Sequence, residues 1–200
     1  MHILLTAFIP FGGDRMNASQ EVMDALPERI GDMRITKLCL PVSFRTAAAL
    51  AIDAAGKLRP DAIVCLGQAG GRDCVTPERV AVNLMDAAIP YNDGFRPVDL
   101  PAVPDGPAAY FSTLPVKAMV EALQKAGAPA RLSNTAGTYV CNCLMFRMLH
   151  WIHTDGPAIP CGFVHLPYLD EQDRREGTPA LQKEIAVTGI LACLRVLGMS

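Results

Sequence analysis

The sequence lacks a basic run and an apolar run of membrane-spanning length. Its 18 Lys and Arg nearly balance its 20 Asp and Glu, so we expect no charged face for nucleic acid or acidic lipid. Without an apolar segment of about 20 residues, we expect no membrane span. Residues 1–5 lack the basic flank and cleavage site of a signal peptide, so we expect a cytoplasmic protein with a small, nearly neutral partner.

Patterns typical of disulfide frameworks, metal sites and phosphate loops are also missing. The seven cysteines are odd in number and scattered through apolar segments, which favours reduced thiols. No pair with zinc-ligand spacing is matched by a second pair. The Gly-Gly-Arg loop at 70–72 lacks the full spacing of a P-loop or dinucleotide motif. We therefore expect no metal and no organic cofactor.

What the chain does have is an alternation of strand-like and helical patterns. Its 200 residues, half of them hydrophobic, suffice for a single domain over 1–200. Continuous apolar runs predict strands covered by helices on both faces. The predicted strands are 2–8, 33–42, 61–67, 76–84, 130–132 and 159–166; the predicted helices are 17–26, 43–58, 115–126, 140–151 and 179–197; and 91–115 is predicted as a long surface loop. This order predicts a three-layer α/β/α sandwich with a mostly parallel, mixed sheet.

One cysteine lies where a predicted strand is followed by a helix. Residues 134–138 supply polar capping residues and a glycine for a tight bend, and from Val140 onward apolar residues recur at helical spacing. Cys141 is therefore expected in the first helical turn, where unpaired N–H groups and the positive end of the helix dipole favour a thiolate. A cysteine in an apolar segment more often serves packing alone.

A histidine and a glutamate complete a candidate triad. His165 lies near the carboxyl end of a predicted strand and Cys141 follows another, so both can reach the edge of the sheet where sites form. A histidine base benefits from a third group that holds its tautomer, and Glu78 is the candidate. The residues alone leave open a hydrogen-bonded core histidine and a surface glutamate.

Family motifs occur in order along nearly the whole chain, at 8–13 with Asn17, 67–72 with 77–83, 135–142, and 162–168. Together they resemble the pyroglutamyl peptidase I (pyrrolidone carboxyl peptidase) family of cysteine peptidases. The resemblance implies hydrolysis of the amide bond after an N-terminal pyroglutamyl residue of a small peptide, with release of 5-oxoproline. It also implies that Glu78, Cys141 and His165 form the catalytic triad.

The resemblance further implies an uncharged pocket for the lactam ring. Its matching positions are Phe8, Phe11, Asn17, Gln68, Ile89, Tyr139 and Val140. One departure is Ala88, where relatives commonly carry an arginine close to the active site. Two alternatives therefore stay open, namely a Cys-His-Glu amidohydrolase with another blocked amide as substrate and a catalytically weak pyroglutamyl-binding protein. The family resemblance also implies a homo-oligomer, specifically a tetramer.

Overall fold

The computed structural model describes residues 1–87 and 95–198. Within them a six-stranded sheet lies between two layers of helices. The helices are α1 (Ala18–Ala25), α2 (Ala47–Leu58), α3 (Val116–Lys125), α4 (Val140–Thr154) and α5 (Lys183–Leu197). The strands are β1 (His2–Phe8), β2 (Arg29–Ile30), β3 (Met33–Leu40), β4 (Ala62–Gln68), β5 (Thr76–Pro77), β6 (Val80–Val82), β7 (Ala109–Phe111), β8 (Cys161–Leu166), β9 (Tyr168–Leu169) and β10 (Ala180–Leu181).

The strand order of the main sheet is β2-β3-β1-β4-β8-β5. The inner strands β3, β1, β4 and β8 pair in parallel, whereas β2 and β5 pair antiparallel at the two edges. The predicted α/β fold with a mostly parallel, mixed sheet is therefore confirmed. Within β8, His165 is the neighbour of Gly67 on one side and of Thr76 on the other. The carboxyl ends of β4 and β8 and the edge strand β5 thus meet at one place.

Apolar side chains fill the space on both faces of the sheet. Along β1, Leu4 and Phe8 belong to the core shared with α2 and α4. Ile3 and Leu5 belong to the opposite core, which is shared with α1, α3 and α5. Because successive strand residues point to opposite faces, a strand covered on both sides is apolar at most of its positions. Each fully buried side chain of this kind stabilises the fold by about 1.5–3 kcal/mol.

Two predictions in the middle of the chain were wrong. The segment 76–84 is not one strand, because β5 pairs with β8 while β6 pairs with β7. The segment 91–115, expected as a loop, contains β7 among its described residues. Glu78 lies between β5 and β6, where its backbone N–H donates to Phe163 O at 2.9 Å. The segment alternates as one strand would, but the chain changes its pairing partner at the glutamate, and no local pattern marks this long-range change,.

Three smaller elements also differ from prediction. Residues 130–132 form no strand, and Ala130 makes only an isolated bridge to Val75. Helix α5 begins at Lys183 rather than near 179, because Ala180–Leu181 pairs with β9. Helix α2 begins at Ala47 because Ser43 forms a preceding turn, in which its hydroxyl accepts from the N–H groups of residues 45 and 46.

Candidate active site

A cavity of about 450 Å³ opens at the carboxyl ends of β1, β4 and β8, beside the start of α4. Parallel strands leave their loops at this end of the sheet, which is where α/β folds place their sites. The residues lining it include Phe8, Phe11, Asn17, Gln68, Arg72, Tyr139, Val140, Cys141 and His165. Most side chains that the sequence singled out therefore meet at one cavity.

Cys141 is the second residue of α4. The helix begins without a side-chain cap, so N–H groups of its first turn are available to an anion. The next residue, Asn142, is completely buried. Its amide accepts from Val82 N at 2.9 Å and donates to Val82 O at 2.8 Å and Leu84 O at 3.0 Å. Asn142 thereby holds the helix start against β6, a role that the sequence analysis missed.

His165 and Glu78 form a buried pair behind the cavity. His165 Nδ1 lies 2.7 Å from Glu78 Oε1, and the two side chains are 4% and 0% exposed. An ionised carboxylate only accepts hydrogen bonds, so Nδ1 carries the proton and Nε2 is left as the basic nitrogen. This geometry brings the two residues together as the triad hypothesis requires, and their catalytic roles stay predictions.

Arg72 is a second donor to the same carboxylate. Its Nη1 donates to Glu78 Oε1 at 2.6 Å and to Thr76 Oγ1, while Nη2 donates to Thr135 O at 3.0 Å. The other carboxylate oxygen, Oε2, is buried without a partner among the described residues, since the nearby Ser133 hydroxyl donates to Thr135 O instead. The arginine of the Gly-Gly-Arg loop therefore neutralises a buried acid rather than binding phosphate.

The three predicted catalytic groups have shifted pKa values. Burial alone would raise the pKa of Glu78, but the hydrogen bond and charge of protonated His165, together with smaller contributions that include the hydrogen bond from Arg72, outweigh it and hold that pKa below its usual range. Burial lowers the pKa of His165 despite the opposing effect of Glu78. The resting pair is therefore a neutral imidazole beside a carboxylate.

The expectation of a resting thiolate at the helix start was wrong. Desolvation, followed by the negative charge of Glu78, raises the pKa of Cys141 to about 12. The helix backbone N–H and Arg72 act in the opposite direction but are weaker. At neutral pH the sulfur is therefore a thiol that needs a base, because the first turn of a helix offers too little to offset lost hydration.

Gly67 sets how closely Cys141 approaches the sheet. A Cβ built on Gly67 would lie 2.6 Å from Phe163 Cζ and 3.0 Å from Cys141 Sγ. Gly67 is also the strand neighbour of His165. The missing side chain therefore lets the sulfur rest against β4 next to the histidine. Within the described residues Cys141 makes no hydrogen bond to His165, so proton transfer requires a closer approach.

The predicted pocket residues form apolar walls. Phe8 is buried and its ring centroid lies 6.5 Å from that of Phe163. Phe11 is partly buried, Val140 is buried, and Tyr139 is 42% exposed at the cavity mouth. Ile89 and the departure at Ala88 lie outside the described residues.

The side-chain amides of the two predicted polar pocket residues differ in how many hydrogen bonds they make within the protein. Asn17 Oδ1 accepts from the N–H and hydroxyl of Ser19, and its Nδ2 donates to Ile9 O at 3.3 Å. Both ends of the Asn17 amide are therefore hydrogen-bonded within the protein, and the residue caps α1. Gln68 Oε1 accepts from Ala18 N and from Gln172 Nε2, both at 2.8 Å, which leaves its own amide N–H groups for a ligand.

Over residues 1–87 and 95–198, no three His, Cys, Asp or Glu side chains are grouped as metal ligands would be. Within the same ranges, no helix combines the length and the apolar character that crossing a bilayer requires.

Comparisons with known proteins agree on one family. The family model described as pyroglutamyl peptidase matches residues 1–198. A pyrrolidone-carboxylate peptidase of Levilactobacillus brevis is 46% identical over 198 residues, covering 98% of this chain and 97% of the relative. One from Thermococcus kodakarensis is 44% identical, covering 98% and 96%. The crystal structure of pyroglutamyl peptidase I from Bacillus amyloliquefaciens superposes with a TM-score of 0.95 at 39% identity, covering 100% of this chain and 97% of that chain. The chain therefore belongs to the pyroglutamyl peptidase family.

Proposed function

We propose that this protein hydrolyses the amide bond after an N-terminal pyroglutamyl residue, using Cys141 as nucleophile, His165 as general base and acid, and Glu78 as its positioning partner. Family membership makes the chain a cysteine peptidase that removes N-terminal pyroglutamate. The observation that supports this assignment of roles is the buried 2.7 Å contact between His165 Nδ1 and Glu78 Oε1, beside a helix-start cysteine on one cavity wall.

Catalysis begins with removal of the thiol proton. Because Cys141 is a thiol at neutral pH and His165 is neutral, the proton passes from Sγ to His165 Nε2 as the sulfur attacks the carbonyl carbon. Glu78 stabilises the imidazolium that forms, since its carboxylate already accepts from Nδ1. Arg72 also donates to this carboxylate and helps to keep it ionised, so Glu78 need not take up the proton itself.

The tetrahedral oxyanion forms next to the amino end of α4. The uncapped N–H groups of the first turn, including that of Cys141, are suitable donors to it,. His165 then returns its proton to the leaving amine, and the C–N bond breaks. Water adds to the resulting thioester with His165 again as base, and pyroglutamate leaves with the thiol restored.

The cavity suits an uncharged ring. Pyroglutamate has no ammonium group because its nitrogen lies in a lactam, and Phe8, Phe11, Tyr139 and Val140 offer apolar walls to a flat ring,. The amide N–H groups of Gln68 can donate to the lactam carbonyl. Pocket roles for Asn17 and Ile89 stay predictions.

The two alternatives have less support. An amidohydrolase with another substrate is not favoured, because the relatives at 42–46% identity are named pyrrolidone-carboxylate peptidases. A protein that only bound pyroglutamate would not need Cys141 and His165 at the same cavity with Glu78 paired to the histidine behind it.

The test compares Cys141→Ala with Cys143→Ala on a pyroglutamyl amide. Cys143 is the matched control, since its buried sulfur contacts Met85 Sδ at 3.6 Å in the core. We expect Cys141→Ala to lose at least about a thousandfold in kcat and Cys143→Ala to retain it. Glu78→Gln should lower kcat more than it changes KM, because the amide keeps the shape but not the charge. Equal activity of the Cys141 variant and the wild-type protein would remove Cys141 from the mechanism.

Self-association and a cytoplasmic location stay predictions. Phe111 is 70% exposed and Val98 is 61% exposed, which supports an interface between copies of the chain. Light scattering after size exclusion measures the mass directly, and a 21.5 kDa particle at assay concentration would contradict the tetramer.

A further inference from the structure

We infer that Gln172 is a positioning residue for substrate recognition, because it helps to fix the carbonyl end of Gln68 and leaves the N–H groups of this cavity-lining side chain without a protein partner in the part of the chain that the structure describes. The inference deepens the proposed function and rests on it. Gln172 was not singled out by any motif and lies 104 positions away from Gln68. The loop that carries it leads from β9 to β10.

Neighbouring backbone N–H groups identify the oxygen atom of each of the two side-chain amides. The N–H of Ala18 can only donate, so the Gln68 atom that lies 2.8 Å from it is the carbonyl oxygen,. The N–H of Leu169 likewise identifies the Gln172 oxygen, at 2.9 Å. The nitrogen of Gln172 then lies between two acceptors, Gln68 Oε1 at 2.8 Å and Met16 O at 3.3 Å. Every contact agrees with one orientation of both side chains.

This arrangement leaves the nitrogen of Gln68 for the ligand. Its Oε1 accepts from both Ala18 and Gln172, whereas its Nε2 has no partner among the described residues. Gln68 is partly buried and lines the cavity. Gln172 is only 6% exposed, so a rotated amide there would place two oxygens against each other in a poorly hydrated site.

The consequence is selectivity for a ring that carries a carbonyl group. A donor fixed in the pocket stabilises the lactam C=O of pyroglutamate. A prolyl ring lacks this oxygen and would leave the donor unpaired, which weakens binding. Without Gln172, the Gln68 side chain keeps only the Ala18 anchor and can sample other rotamers. Gln172 therefore acts through Gln68 and need not touch the substrate.

The experiment uses Gln172→Glu and Gln172→Met, with Glu171→Gln as control at the exposed neighbouring position. In Gln172→Glu an oxygen replaces the nitrogen that faces Gln68 Oε1 and Met16 O, so the two oxygens repel. In Gln172→Met the hydrogen bonds are lost with little change of volume. Three quantities are measured, namely KM and kcat on a pyroglutamyl amide, Ki for 2-pyrrolidinone, and the rate of inactivation by iodoacetamide.

We expect both Gln172 variants to raise KM and Ki about 10- to 100-fold, with kcat and the iodoacetamide rate within about twofold of wild type. A general structural defect would lower the last two quantities as well. Unchanged KM and Ki in either variant, or equal losses in all quantities, would overturn the inference. Failure of the wild-type protein to release pyroglutamate would instead contradict the proposed function.

Discussion

Arg72 Nη1 lies 2.6 Å from Glu78 Oε1, the oxygen that also accepts the hydrogen bond from His165 Nδ1. Glu78 is fully buried and Arg72 is 22% exposed, so the pair is shielded from most of the screening that weakens surface ion pairs. Arg72 also donates to Thr135 O at 3.0 Å, in the segment that leads to Cys141, the proposed nucleophile. One guanidinium thus connects the carboxylate of the candidate triad with the loop before α4.

Replacing Arg72 should change both the rate and the pH dependence of hydrolysis. Burial is the main cause of the lowered pKa of His165, and the charge of Arg72 lowers it further. In Arg72→Met the pKa of His165 therefore rises, and because the reaction needs neutral imidazole, the acid limb of kcat/KM moves to higher pH. We expect kcat/KM to fall about 10- to 100-fold, because Glu78 loses one of its donors and Thr135 O loses its contact, so the carboxylate and the loop before α4 are held less firmly.

The matched control is Arg131→Met. Arg131 pairs with Asp73 on the surface, where the side chains are 59% and 63% exposed, so we expect little change in rate or pH profile. Arg72→Lys should restore the position of the acid limb in part, since the charge is kept while the second hydrogen bond is lost. An acid limb that stays in place in Arg72→Met would show that Arg72 has only a structural role.

Gly67→Ala should impair the nucleophile directly. The added methyl group would lie 3.0 Å from Cys141 Sγ and 2.6 Å from Phe163 Cζ, so the sulfur must move away from His165. We expect kcat to fall about a hundredfold, as misplacement of about 1 Å can cause. The measurement is kcat together with thermal unfolding.

The control for that substitution is Gly56→Ala. Gly56 lies within α2 with no atom within 4 Å of an added Cβ. The change should keep activity and stabilise the helix by about 0.5–1 kcal/mol. Full activity of Gly67→Ala would mean that the sulfur need not rest against β4.

Buried thiols should make the fold sensitive to alkali. Burial raises the pKa of Cys65 to about 11 and that of Cys193 to about 12, from 9.0 when exposed. As pH rises, these thiols lose their protons in the unfolded chain before they do so in the folded protein. Their contribution to the free energy of unfolding is therefore complete below about pH 9 and is lost as pH rises toward 11 to 12. We expect Cys65 alone to account for about 2 kcal/mol of this loss by about pH 10.5.

Urea unfolding measured from about pH 8 to pH 10.5 tests the linkage. The free energy of unfolding of Cys65→Ala should fall less steeply with pH than that of the wild-type protein. Cys39→Ala removes an exposed thiol and should change the slope less. Parallel pH profiles for wild type and Cys65→Ala would contradict the burial effect.

The predictable parts of the fold are those whose burial imposes a local pattern. Strands β1, β4 and β8 are continuous apolar runs because helices cover both of their faces, and α4 begins at Val140 as its spacing predicts. Strand β7 was missed because its ladder with β6 joins segments far apart in sequence. A strand of three residues is too short to show a detectable alternation of apolar and polar side chains,.

The candidate site likewise has residues that the sequence identifies and contacts that only the structure shows. Family motifs drew attention to Glu78, Cys141 and His165 before any geometry was known. Arg72 lies in the Gly-Gly-Arg loop and in a family motif, but nothing local indicates that it pairs with Glu78. Gln172 has no local signal at all, because a glutamine among charged residues is an ordinary surface pattern. Their contacts exist only where β4, β8 and the segments around them converge.

The amino-acid sequence by itself determined most of the succession of strands and helices, the family motifs and the identity of the candidate catalytic side chains. Only the tertiary structure decided the protonation states and orientations of these groups. The Cys141 thiol shows the reason. Its helix position favours a thiolate, yet the desolvation that comes from packing and the charge of Glu78 raise its pKa to about 12. Such effects depend on distances between segments remote in the chain, which no local pattern contains.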